Sequence, residues 1–224
     1  MLGFGIIVPV HLVVLLLGRR DAVPPLFLAY MGRVAGLRIR VEGQPRTGAL
    51  LLANHVSWLD ILALAGTSRA IFVAHSGLMV HGGLKWLCDQ NCTVFVTRDR
   101  RATVAGQVAQ VRAALGSRPL TIFPEGTTND GTALLPFRSS LLSAVEPLAD
   151  AVPIQPVALD YADAAEIAWF GEEPGLANLR RIMARRGRID LTIRFLEPLS
   201  GAALADRKAM TAAAQAAVAE ALRV

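Results

Sequence analysis

Cysteine is nearly absent from this chain: Cys88 and Cys92 are the only two among 224 residues. One pair four residues apart makes no disulfide framework, and without paired histidines beside it makes no zinc site. Aromatic residues are also few, at 6%, and none interleaves with the basic cluster Arg180, Arg181, Arg185, Arg186 and Arg188, which argues against a nucleic-acid partner. No Gly-x-Ser-x-Gly elbow occurs anywhere, so a serine-hydrolase route has no nucleophile, and His81-Gly82-Gly83 alone reads as a loop. No positive charge precedes the first apolar run, which therefore lacks the leading region of a cleaved signal peptide. Internal repeats, low-complexity tracts and flexible linkers are missing too. One α/β domain fits this length.

What the chain has in excess is hydrophobicity. Apolar residues make up 53% and the mean hydropathy is +0.44, while the formal charge is +5 with a pI near 10.0. Basic and apolar together, the chain suits an anionic lipid surface. Residues 2–17 are apolar except for Pro9 and His11, and Arg19 and Arg20 follow. About 16 helical residues reach roughly 24 Å, slightly short of a bilayer's hydrocarbon core, which suits a span or a deep interfacial anchor. The trailing arginines put the rest of the chain on the cytoplasmic face, the inner membrane in a bacterium. Residues 23–37 open on Pro24 and Pro25 and carry Leu26, Tyr30 and Val34 at helical spacing. They predict a second helix on the membrane surface. Residues 1–36 thus form a membrane-associated helical pair, and residues 37–224 a separate α/β domain.

From residue 37 strands and helices alternate. Strands are predicted at 37–41, 50–53, 70–74, 93–96, 120–123, 152–159 and 189–195. Helices are predicted at 57–65, 103–115, 139–148 and 202–222. This order calls for a mixed, mostly parallel central sheet flanked by helices.

Two stretches carry the chemistry. Asn54-His55-Val56-Ser57-Trp58-Leu59-Asp60 follows the strand ending at Ala53, where α/β sheets place ligands. An imidazole takes a hydroxyl proton only if its other nitrogen is held as a donor, and a carboxylate five residues on can hold it. The same Ser57-x-x-Asp60 spacing is also that of a helix capping box. The second stretch, Thr121-Ile122-Phe123-Pro124-Glu125-Gly126-Thr127-Thr128, puts a Glu-Gly-Thr turn after another apolar strand. There glycine lets backbone N–H groups approach an anion.

With these two stretches the chain resembles the lysophosphatidic acid (1-acylglycerol-3-phosphate) acyltransferase family. Four motifs stand in the family's order: Asn54-His55 with Asp60, Val94-Phe95-Val96-Thr97-Arg98, Phe123-Pro124-Glu125-Gly126-Thr127, and Val152-Pro153-Ile154-Gln155-Pro156. The likeness runs roughly from 37 to 199. It implies a general base, His55, oriented by Asp60. It also implies that Arg98 and the turn Phe123, Pro124, Glu125, Gly126 and Thr127 receive the acceptor's headgroup. The implied reaction moves a fatty acyl group from acyl-CoA or acyl carrier protein to a lysophospholipid hydroxyl, 1-acylglycerol-3-phosphate first. Attack is direct, with no acyl-enzyme, no cofactor and no metal.

This chain departs from the pattern twice. Thr128 stands where many relatives have Arg, and His75 where many have Lys. Two cations fewer near a phosphate site make lyso-ornithine lipid, or another lysolipid, the alternative acceptor. A non-catalytic basic membrane-binding protein is the rival of another class, and it leaves the four motifs unexplained.

Arg98 carries the larger share of headgroup neutralisation on this reading. Arg98→Lys keeps the charge but loses the bidentate fork. Steady-state kinetics should show the acceptor KM rising more than the thioester KM, and further still in Arg98→Ala. A rise in the thioester KM alone would put Arg98 on the donor side.

Overall fold

Leu50-Leu51-Leu52-Ala53 is apolar at every position, and a strand of that kind must be covered on both faces. In the computed structural model, which describes residues 23–75, 93–96, 109, 118–143, 146–149 and 151–222, this segment is fully buried. It forms β2 (Leu50–Ala53) at the centre of a seven-stranded sheet. In chain order the other strands are β1 (Leu37–Glu42), β3 (Ile71–His75), β4 (Val94–Val96), β5 (Leu120–Ile122), β6 (Ile154–Tyr161) and β7 (Ile189–Phe195). Their spatial order is β1-β7-β6-β2-β5-β3-β4, and only the β6–β7 pair is antiparallel. The mixed, mostly parallel sheet expected from the alternation is present.

The alternating faces of these strands feed two separate cores. Leu51, Ala53, Phe72, Val157, Leu159 and Tyr161 face one, together with α1 (Val23–Val34), α2 (Leu59–Ser68) and Ile182 of α4 (Gly175–Met183). Leu50, Leu52, Leu120, Ile122 and Ala158 face the other, closed by α5 (Arg207–Ala221) through Met210, Ala214 and Val218. A short α3 (Ala164–Ile167) lies between β6 and α4. Arg194 of β7 ties three strands together, donating to Glu42 of β1 at 2.9 Å and to Asp160 of β6 at 2.7 Å. Both carboxylates hold its guanidinium above the usual arginine value.

Several expectations change. The helix predicted at 139–148 is two 3₁₀ turns, Ser139–Leu142 and Glu146–Leu148. Pro147 supplies no N–H and crowds the preceding turn, so an α-helix cannot run through it. The helix predicted at 202–222 starts later, because Asp206 accepts from the backbone N–H groups of Lys208 and Ala209 at 2.7 and 2.8 Å and caps α5 there. Residues 2–17 lie outside the described residues, as does the helix expected at 103–115 except for Ala109. Among the described residues, no helix is long and apolar enough to cross a membrane.

α1 corrects the boundary drawn at residue 36. Its Pro24, Pro25, Leu28 and Gly32 are buried, and Leu28 belongs to the same core as α2. The predicted stripe of Leu26, Tyr30 and Val34 faces outward. One side of this helix is therefore part of the α/β domain. Its other side, which carries the predicted stripe, is left exposed.

Gly66 sets how closely α1 and α2 approach. A Cβ added there would sit 2.9 Å from the Ala29 Cβ and 3.0 Å from its Cα. In an open helix Gly→Ala stabilises by about 1 kcal/mol. Here Gly66→Ala should instead lower the thermal midpoint, with an overpacking cost of about 1–3 kcal/mol. Adding Ala29→Gly should return part of the loss. A higher midpoint in the single variant would show that the two helices do not touch at this point.

Candidate active site

Three adjacent parallel strands deliver the site. β2 ends just before His55, β5 just before the turn at 123–127, and β6 ends on Tyr161. Asn54 extends the β2–β6 pairing with its side chain. Its Nδ2 donates to the Leu159 carbonyl at 3.0 Å, and its Oδ1 accepts from the Leu159 N–H at 2.7 Å. That two-way clamp fixes where the chain leaves the sheet and turns into the His55 loop.

Every backbone polar group of the loop at 55–57 has a partner. The N–H of His55 donates to Glu125 Oε1 at 2.6 Å, and those of Val56 and Ser57 donate to Asp60 Oδ2 at 2.8 and 3.0 Å. The carbonyls of His55, Val56 and Ser57 accept from the N–H groups of Asn129, Trp169 and Asp60. A turn so satisfied is held from four directions and has no cheap alternative conformation.

Asp60 sits in the first turn of α2 and is fully buried. Its Oδ2 lies 2.7 Å from His55 Nδ1, and its Oδ1 accepts from the Tyr161 hydroxyl at 2.6 Å. Since the carboxylate already takes two backbone N–H groups and a phenol, His55 Nδ1 must be the donor in the fourth bond. The lone pair of the neutral ring then falls on Nε2. The imidazole is stacked on Phe123 with centroids 4.0 Å apart and planes 14° from parallel, and its side chain is 18% exposed. The site therefore presents one oriented, reachable nitrogen base. Capping and orienting were competing roles for Asp60 in the sequence. Its carboxylate meets the imidazole and also accepts the Ser57 N–H, while the residue at the helix entry, Trp58, makes no side-chain cap.

The 123–127 turn divides into an inner and an outer part. Glu125 is fully buried, with Oε1 taken by His55 and Oε2 by Asn129 Nδ2 at 2.8 Å and the Leu135 N–H at 3.0 Å. Burial pushes its carboxyl above the ordinary glutamate value, while the three N–H donors pull it back. The headgroup contact expected of Glu125 would have to compete with these bonds. Both oxygens are spent on holding the His55 loop, and a buried anion would repel a phosphate. Phe123 likewise supports the imidazole, and Pro124 is buried with its carbonyl accepting from the Arg138 N–H at 2.8 Å. Gly126, at φ 74°, and Thr127 are exposed and open to a ligand. Arg98, the remaining predicted residue, lies outside the described residues.

Tyr161 and Asn129 were not singled out from the sequence. Tyr161 lies 101 positions from Asp60. The alternation along β6 could have put it on the same face as Leu159 and Val157, but not opposite a carboxylate. Burial, then the Asp60 charge, push its phenol well above the ordinary tyrosine value, so it remains a hydrogen-bond donor.

Fold and site together define an α/β enzyme built around an oriented imidazole at the carboxyl ends of parallel strands. The acyltransferase family model matches residues 38–160. A lyso-ornithine lipid O-acyltransferase of Brucella abortus is 32% identical over 211 residues, spanning 86% of this chain and 79% of its own. A 1-acyl-sn-glycerol-3-phosphate acyltransferase of Neisseria gonorrhoeae is 34% identical over 139 residues, or 59% of this chain and 53% of its own. The crystal structure of PlsC, the 1-acyl-sn-glycerophosphate acyltransferase of Thermotoga maritima, superposes with a TM-score of 0.67 at 18% identity. That likeness covers 92% of this chain and 80% of PlsC, and shows a common fold. The chain belongs to the acyltransferase family.

Tyr161→Phe separates positioning from packing. It strands one buried carboxylate oxygen, which should cost about 1–3 kcal/mol in stability. Losing a donor also leaves more negative charge on Asp60, which favours the protonated imidazole. The acidic limb of the kcat–pH profile should therefore move to higher pH, and kcat should fall more than KM changes. A lower melting temperature with an unmoved pH profile would mean that Tyr161 only packs.

Proposed function

We propose that this acyltransferase esterifies the free hydroxyl of a lysolipid at the cytoplasmic surface of a membrane, and that its acceptor is a lyso-ornithine lipid. In this reading His55 Nε2 removes the acceptor's hydroxyl proton as that oxygen attacks the thioester carbonyl of acyl-CoA or acyl carrier protein. The tetrahedral intermediate collapses by breaking the C–S bond, and the thiolate leaves with the proton that the imidazolium returns. Asp60 stabilises the imidazolium during this exchange, and its geometry already suits that charge.

The observation that carries the acceptor choice is the extent of the matches. The Brucella abortus enzyme aligns over 86% of the chain, against 59% for the Neisseria gonorrhoeae enzyme. The charge pattern agrees. An ornithine headgroup has no phosphate and balances its carboxylate with its own amine, so it needs fewer cations than a phosphate does, in keeping with Thr128 and His75. 1-Acylglycerol-3-phosphate is the second reading, favoured by the order of the four motifs. Gly126, Thr127 and Arg98 would face the headgroup in either case.

Lysolipids of both kinds, offered with acyl-CoA or with acyl carrier protein, should be followed by mass spectrometry of the products. Acylated ornithine lipid should dominate. His55→Ala should lose at least about 10²-fold in turnover while keeping the wild-type thermal transition. Phosphatidic acid as the main product would reverse the acceptor assignment, and a folded, active His55→Ala would end the general-base mechanism.

A further inference from the structure

α4 leaves an apolar stripe in the open beside the active site. Leu176, Leu179 and Met183, at i, i+3 and i+7, are 59%, 38% and 45% exposed, while Asn178 and Ile182 on the opposite side are buried. Phe170, in the turn leading into the helix, is half exposed. Two of the nearby arginines are occupied: Arg181 binds Glu173, and Arg185 binds Glu166. Arg180, Arg186 and Arg188 are exposed and, among the described residues, carry no ion pair. A stripe of this composition, flanked by free guanidinium groups, has the pattern of a helix lying in a lipid interface.

We infer that α4 and Phe170 form a docking face for an anionic leaflet, placed to hold the His55 loop against the bilayer. This rests on the lysolipid reading for its purpose, though not for its physical basis. The link to the site is direct. Trp58 Nε1 donates to Asn178 Oδ1 at 3.0 Å, and the N–H of Trp169, next to Phe170, donates to the Val56 carbonyl at 3.0 Å. The outward stripe of α1, Leu26, Tyr30 and Val34, lies over the same face of the sheet, and Gly36, just after α1, approaches Gly187, just after α4. A second copy of the chain fits this surface poorly, because docking α4 on itself would bring unpaired arginines together. Anionic headgroups neutralise those arginines, and acyl chains take up the leucines and Met183.

The test places an environment-sensitive NBD label on Leu179→Cys, with Cys88 and Cys92 changed to serine in the full-length chain. Glu220→Cys on α5, over the opposite face, is the control. On vesicles of about seven parts phosphatidylcholine to three phosphatidylglycerol, the label at 179 should shift to the blue and be quenched by bilayer-embedded doxyl lipid. The label at 220 should do neither. Equal behaviour at both positions on vesicle-bound protein would overturn the docking face, as would a shift at 179 that appears without lipid and grows with protein concentration, the mark of self-association. In the second arm, a Leu176→Ser, Leu179→Ser, Met183→Ser variant should lose about fivefold or more in turnover on vesicles yet match wild type in detergent-mixed micelles. Loss in both or in neither counts against the proposal. Absence of acyl transfer by the wild type in micelles would sink the functional reading instead, and the label's depth would still decide the docking.

Discussion

A buried carboxylate without enough donors is among the most expensive features a protein can carry, and the arrangement around Asp60 removes that expense completely. Its two oxygens gather four hydrogen bonds, from His55, Val56, Ser57 and Tyr161. Each donor comes at the cost of fixing the segment that supplies it. Val56 and Ser57 must turn their N–H groups inward, which sets the loop. Tyr161 must end β6 at that level, which sets the register of β6 against β2, and the Asn54 clamp on Leu159 enforces the same register two residues earlier. The imidazole is the last donor, so its orientation follows from a requirement that the rest of the fold already meets.

Glu125 repeats this logic from the neighbouring strand. Its carboxylate is buried, takes three N–H donors, and touches the loop at the His55 N–H. Two buried acids, one after β2 and one after β5, thus grip the same short loop from opposite ends. Neither needs solvent or ligand to be satisfied. The site is preorganised: the dipoles around the imidazole are already oriented before any ligand binds.

The sheet was legible because β2 is apolar on both faces, β7 alternates, and the strands are separated by turn residues, and the His55–Asp60 pair because both members lie on one short stretch. The orientation of side chains across strands was not legible. The spacing of Phe123-Pro124-Glu125-Gly126-Thr127 put Glu125 at the end of β5 but gave no sign that it points inward. Tyr161 meets Asp60 only through tertiary register. α1 shows the outward stripe that its period predicts, but its residues are apolar on nearly every side, so the period gave no sign that the opposite side packs on the domain. The two helix errors have local causes, Pro147 in one case and the Asp206 cap in the other.

The division between inner and outer residues bears on how such a site changes substrate. The polar groups that orient His55 are buried and mutually satisfied, so altering them costs stability. The exposed Gly126 and Thr127, and the half-buried Thr128, sit at the mouth of the same turn and spend no side-chain hydrogen bond on the loop. Replacing a cation there alters which headgroup is neutralised while leaving the Asp60 and Glu125 networks untouched. The mouth of the turn can therefore vary at little cost to stability while the geometry around His55 stays fixed. That separation lets the family's motif order persist whichever headgroup the exposed turn residues receive.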